Sequence, residues 1–145
     1  MKVYLAGSMS GLTFTQMNAW REKSKELFGN YDISVRTFNP CDYYNFENDK
    51  KLKATDEEIM EFDIYTLVKH SNVILVNLAH PGSIGTAIEC HDAKEWFHIP
   101  VIAFGTKEEY NKTHPWVKAA INKYFTDIEA AVDYIVTFYY PMFKR

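Results

Sequence analysis

The apolar positions of this chain fall into short unbroken runs, separated by longer stretches that repeat every three to four residues. Val3-Tyr4-Leu5-Ala6 is one such run, closed by Gly7, and has the pattern of a strand buried on both faces. From about Thr15 to Phe28 a helical spacing puts Met17, Trp20, Ser24 and Leu27 on one face, with Gly29 or Asn30 as the stop. Ile33 to Phe38 predicts a second strand, ended by Asn39-Pro40. Cys41 to Lys53 is polar and aromatic without a period, and reads as a long loop. Thr55-Asp56-Glu57-Glu58 is a capping box that opens a helix to about His70. Val73-Ile74-Leu75-Val76 is a third strand, and Leu78 to Ile84 a loop. Gly85 or Thr86 opens a helix to about Phe97, and Pro100 to Phe104 is a fourth strand. Pro115 suits the first turn of a helix over Trp116 to Lys123. Tyr124-Phe125 reads as a short fifth strand. Thr126-Asp127-Ile128-Glu129 then opens a last helix through about Tyr139, which Pro141 helps to stop.

Strands alternating with helices predict an α/β architecture, a parallel sheet covered on both faces and joined by right-handed crossovers. With five strands the expected arrangement is a flavodoxin-like, doubly wound sheet of order 2-1-3-4-5. The 145 residues fit a single domain, 1–145. In such sheets ligands sit at the carboxyl ends of the strands, beside the switch in strand order. That crevice lies between strands one and three, and both loops with distinctive sequences follow those two strands.

Composition narrows the function classes. The formal net charge is -3 and no lysine or arginine cluster is present, so a nucleic-acid partner is not expected. Cys41 and Cys90 form no CxxC pair, which argues against a disulfide framework or a zinc site. No run approaches the ~18 apolar residues of a membrane span, and the N-terminal apolar run is too short for a signal peptide. The expected compartment is the cytoplasm, without a membrane partner. Aromatic residues reach 16%, consistent with a rich core and an oligomer interface, or with a pocket that stacks a flat ring. Tyr134, Ile135, Phe138, Tyr139, Tyr140, Met142 and Phe143 crowd the last helix and tail. More apolar surface than one sheet face covers predicts a homodimer or higher homo-oligomer.

The chemistry concentrates in four places. Gly7-Ser8-Met9-Ser10-Gly11 offers small residues and free amides after a strand, which suits an anion or simply a tight strand-to-helix turn. In Pro81-Gly82-Ser83-Ile84-Gly85-Thr86-Ala87-Ile88-Glu89 a helix N-terminus near Gly85 favours an anion, and Glu89 lies in the first turn below it. By spacing alone, Glu89 equally well complements the helix dipole. Asp63 stands at the edge of the apolar face formed by Ile59, Phe62 and Leu67, as a solvated carboxylate or a site residue. Tyr4, inside strand one, needs a partner for its hydroxyl if buried.

The chain resembles the nucleoside 2-deoxyribosyltransferase family and its hydrolytic relatives, the 2′-deoxynucleoside 5′-phosphate N-hydrolases. Val3 to Gly11, Asn39-Pro40, Asp63, Ser71 to Val76, Gly85-Thr86-Ala87-x-Glu89 and Pro100-Val101-Ile102 carry the likeness. The resemblance implies that Glu89 is the nucleophile at the anomeric carbon, that Tyr4 orients it, and that Asp63 is the acid/base on the nucleobase side. It also implies a small nucleoside or nucleotide substrate and no metal or organic cofactor. Nucleoside-specific members tend to carry a carboxylate six residues before the nucleophile. Ser83 stands there, which favours a 5′-monophosphate, with Gly7, Ser8, Ser10, Gly11 and Gly85 as further binding positions. The expected reaction is N-glycosidic cleavage of a (deoxy)nucleoside 5′-monophosphate with water as acceptor. Nucleobase exchange by a transferase is one alternative, and a non-catalytic nucleotide-binding or sensor module another.

Two points depart from that pattern. Family members usually continue Glu-Leu-Gly or Glu-Ile-Gly where this chain has Glu89-Cys90-His91, and His91 reads as a structural variation. The segment Pro81 to Glu89 is also close to the Pro-Gly-Gly-x-Gly-Thr-x-x-Glu signature of cytokinin-type nucleotide phosphoribohydrolases. Those chains are usually longer, and their pattern does not explain Tyr4 and Asp63 together.

Overall fold

The computed structural model describes residues 1–45 and 54–144. Five parallel strands form one sheet in the order β2-β1-β3-β4-β5, as the alternation of elements predicts. The strands are β1 (Lys2–Ala6), β2 (Arg36–Phe38), β3 (Val73–Asn77), β4 (Val101–Phe104) and β5 (Lys123–Phe125). Side chains alternate across the pleat and build two cores. Tyr4, Ala6, Ile74, Val76, Val101 and Ala103 pack on one face, with Leu67, Val68, Cys90 and Ala93 from the helices above them. Val3, Leu5, Val73, Leu75, Ile102 and Phe104 pack on the other, against Phe28, Ala131, Val132 and Ile135. The first face is covered by the helix that carries Asp63 and by α3 (Ile84–Glu95), the second by α1 (Phe14–Gly29) and α6 (Ile128–Tyr134).

Element ends follow local chemistry. Thr13 caps α1 in a reciprocal capping box with Gln16, and Asn30 closes it. β2 is shorter than the expected Ile33 to Phe38. It is an edge strand whose pairing with β1 begins where Lys2, the first residue of β1, stands opposite Arg36. Ile33 and Val35 instead pack as partly buried side chains on the core. Of the expected loop from Cys41 to Lys53, Pro40–Asp42 forms a single 3₁₀ turn whose first amide, Cys41 N–H, is capped by the Asn39 side chain. Residues 46–53 lie outside the described residues.

Helix α2 begins at the predicted capping box, Thr55 with Glu58, and is α-helical over Asp56–Glu61. It then widens to π-helical hydrogen bonding over Phe62–Val68, so Asp63 stands on a widened turn. Such turns recur at functional sites. α3 starts one residue earlier than expected because Ser83 is its N-cap, accepting from the Thr86 amide. A short helix the sequence pattern did not single out, α4 (Lys107–Lys112), is opened by a Thr106–Glu109 capping box, and α5 spans Pro115–Ala120. The last helix does not stop at Pro141. It passes through a π-helical segment, Ile135–Tyr139, into α7 (Tyr140–Phe143). The ladder is already displaced there, so the missing proline N–H removes little.

Candidate active site

The carboxyl ends of β1 and β3 adjoin at the switch in strand order, with Ala6 beside Val76. Two loops leave from this point. Gly7 to Gly11 leads from β1 towards α1, and Leu78 to Ser83 leads from β3 into α3. A cavity of about 580 Å³ opens between them, lined by Gly7 to Ser10 on one side and by His80 to Thr86 on the other. Asp63 and Glu89 both line it. Residues 26 apart in sequence therefore meet, because α2 and α3 pack side by side on the same face of the sheet.

Local geometry explains the loop sequences. A Cβ on Gly7 would lie 2.8 Å from Trp20 Cζ2, so only glycine fits under that ring. Gly11 and Gly82 have φ of +78° and +105°, left-handed values that favour glycine. His80 takes φ 54°, which turns its carbonyl to accept a 2.6 Å hydrogen bond from the Ser8 hydroxyl. Ser8 thus clamps the two loops together, and its hydroxyl proton is already committed. Ser83 accepts from the Thr86 amide at 3.2 Å and from the Thr86 hydroxyl at 3.0 Å. A serine hydroxyl has one proton to give, so Ser83 retains it for the cavity it lines. Ser10 and Gly85 are exposed and line the cavity, whereas Gly11 is exposed and does not line it.

Of the three residues expected to carry chemistry, Asp63 and Glu89 line the cavity, and Tyr4 lies in the core beside Glu89. Tyr4 is fully buried. Its hydroxyl, Asp63 Oδ1 and Glu89 Oε2 are all sealed from solvent, and among the described residues none finds a hydrogen-bond partner of good geometry. Tyr4 nevertheless approaches Glu89 closely enough for each to shift the other. Unsatisfied buried polar atoms cost ~1–3 kcal/mol each and are rare in folded proteins. Three of them around one cavity mark a place that stores polar capacity for something else.

Burial raises Glu89 to about 8, with repulsion from Asp63 the second cause. Burial likewise raises Asp63 to about 7. The two carboxyls are close enough for Asp63 to raise Glu89 further. Tyr4 and Arg21 both favour the anion on Glu89, whereas Arg21 is the lowering influence on Asp63. These donors oppose burial without cancelling it, and Glu89 still holds its proton to higher pH than Asp63. Tyr44 is also buried beside the pair, and its phenol is pushed up by burial first and by Asp63 second.

Arg21 is the residue the sequence pattern did not single out. It is buried at the carboxyl end of β1. The signal was present, since Arg21 is four residues beyond Met17 and so lies on the apolar face of α1, where a charge is out of place. His91, the departure beside Glu89, points away from the cavity, is exposed and touches Asp92 at 3.1 Å. Among the described residues no group of three or more His, Cys, Asp or Glu side chains is placed to hold a metal ion. No helix among them is long and apolar enough to cross a membrane. A second, more apolar cavity of about 240 Å³ lies on the far side of the His80 loop, walled by Leu78, Ile84, Trp116 and Val117.

A scan against protein-family models and a search of curated proteins give no match. Solved structures do match along nearly the whole chain. A conserved protein from Enterococcus faecalis is 19% identical, with 94% of this chain and 98% of that one covered and a TM-score of 0.72. A 2-deoxyribosyltransferase from the psychrotolerant bacterium Bacillus psychrosaccharolyticus is 17% identical, with 92% of each chain covered and a TM-score of 0.67. The chain therefore shares the fold of this 2-deoxyribosyltransferase.

Proposed function

We propose that this protein cleaves the N-glycosidic bond of a (deoxy)nucleoside 5′-monophosphate through a covalent glycosyl ester on Glu89, with water as the acceptor. The observation that carries this reading is that Glu89 and Asp63 line one cavity, with Tyr4 buried beside Glu89, and that each of the three has an unsatisfied buried oxygen. Glu89 attacks the anomeric carbon, a C–O bond forms and the C–N bond breaks. Asp63, protonated, gives its proton to the departing base. The same carboxylate then takes a proton from water, whose oxygen displaces Glu89 and restores it. This is the double-displacement logic of retaining glycosidases, in which one carboxyl attacks and the other shuttles a proton. Tyr4 orients Glu89 and lends its hydroxyl to the anion.

The phosphate is assigned to the cavity mouth, between the amides of Gly7 to Gly11 and the N-terminus of α3, where amides and helix dipole favour an anion. Ser83 supports this choice, since it brings a donor and no negative charge. A second reading, nucleobase exchange, is favoured by the fold shared with a 2-deoxyribosyltransferase. It differs only in whether water or a second base takes the sugar from Glu89. The deciding experiment incubates the protein with nucleosides and 5′-monophosphates, with and without a free acceptor base, and separates released bases by chromatography. Release from a monophosphate without acceptor supports the hydrolase. Release only with acceptor supports exchange. Full activity in Glu89→Gln overturns both.

A further inference from the structure

A buried cation lies behind the site. Arg21 is 1% exposed. Its Nε donates to the Leu5 carbonyl at 3.1 Å and its Nη2 to the Gly7 carbonyl at 3.1 Å. Its Nη1 donates to the Met17 carbonyl and reaches Cys41 Sγ at 3.8 Å. The guanidinium carbon sits 4.6 Å from the centroid of the Trp20 ring, the ring that also excludes a side chain at Gly7. All these partners are neutral. Among the described residues no carboxylate forms an ion pair with it. Withdrawing a charge from water without a partner costs several kcal/mol, so an opposing field is needed to hold it there.

Gly7, whose carbonyl Arg21 holds, lines the same cavity as Asp63 and Glu89, whose inner oxygens lack partners of their own. We propose that Arg21 is a positioning residue for the Glu89–Asp63 pair. Clamped by the Leu5 and Gly7 carbonyls, it is the fixed counter-charge behind both carboxylates and holds the end of β1 that faces them. The inference rests on the assignment of Glu89 as nucleophile. Arg21 touches no substrate and acts through the pair.

The surroundings are consistent. Glu89 is faced by Asp63 from α2, by Tyr4 from β1, by Arg21 from α1 and by its neighbour Cys90. Arg21 is faced in turn by Cys41 from the turn after β2, by Tyr4 and by Glu89. Arg21 lowers both carboxyls against the upward push of burial. Lysine would keep the charge but not the geometry, because only a planar fork reaches carbonyls in three directions while stacking on Trp20.

The test compares wild type, Arg21→Met and Arg21→Lys. One readout is a ¹³C-carboxyl NMR titration of Glu89 and Asp63. The other is the pH profile of kcat/KM on a deoxynucleoside 5′-monophosphate. In Arg21→Met both titrations and the acid limb should move up by about one pH unit, so that kcat/KM below the limb falls about tenfold. In Arg21→Lys the limb should stay in place while kcat drops. A folded Arg21→Met whose titrations coincide with wild type overturns the proposal. If Arg21→Met does not fold, Arg21→Lys decides. A lower kcat at an unmoved limb supports the proposal, whereas wild-type kcat, or a limb displaced along with the lost activity, overturns it. The NMR titration needs no turnover. A protein that releases no base from any compound would refute the assignment of Glu89 and still leave the effect of Arg21 measurable.

Discussion

Replacing Glu89 by glutamine separates the electrostatic cost of the site from its packing. Burial, reinforced by Asp63, raises this carboxyl from 4.5 to about 8 in the folded chain. The folded state therefore keeps a proton that the unfolded chain releases from about pH 4.5 upward. The stability this lends is fully present below the unfolded value and is lost as pH rises through the folded one. At about 1.4 kcal/mol per pH unit the gap sets a ceiling of about 5 kcal/mol. Water entry and relaxation around the ionised group reduce it, and roughly 2–3 kcal/mol is the expected effect. Glutamine keeps the shape and never ionises, and whatever its amide costs does not change with pH. The Tm of Glu89→Gln minus that of wild type should therefore grow by roughly 6–12 °C between about pH 5 and about pH 9. Calorimetry or circular dichroism melts at several pH values measure it. A difference that is the same at both ends would show that Glu89 is not held as a raised, buried acid, and would refute the electrostatic account of the site.

Tyr4→Phe removes a hydroxyl with no hydrogen-bond partner of good geometry among the described residues, so stability should change by less than about 1 kcal/mol while kcat falls at least about tenfold; a melt and a kinetic assay on one preparation check both. Ser83→Asp should fold normally, because aspartate caps helices as well as serine, yet lower the preference for a 5′-monophosphate over its nucleoside by about ten- to a hundredfold through the lost donor and added repulsion. An unchanged ratio of kcat/KM places the phosphate elsewhere. Homo-oligomerisation should appear as at least a dimer mass in light scattering at micromolar concentration. Part of the tail is spent internally, with Ile135 buried and the Tyr140 hydroxyl accepting from Ser34 N–H. However, Phe138, Met142 and Phe143 stay 46%, 53% and 37% exposed, and Trp96 and Trp116 stay 71% and 83% exposed; a monomer mass would refute the expectation.

The sequence by itself determined the architecture. Unbroken apolar runs alternating with helical spacing admit little besides a covered parallel sheet, and the capping box at Thr55 is local chemistry that can be read in one dimension, whereas the cap at Ser83 was not read there. It also determined which loops matter, since Gly7 and Gly82 stand where a close contact and a positive φ leave no alternative. The extent of β2 was not legible, because a strand ends where its partner ends and that partner is 34 residues away, Lys2 opposite Arg36. The widened turn at Asp63 was hidden for a similar reason: an α-turn and a π-turn differ by one residue of hydrogen-bond register, which packing selects. Asp63 and Glu89 could each be a surface carboxylate until α2 and α3 were laid on the same face of the sheet, and only that placement seals their oxygens together. Arg21 was decided wholly by tertiary structure. On a helix it is one more cation, and it becomes a buried charge behind two carboxyls only when α1 docks against the end of β1.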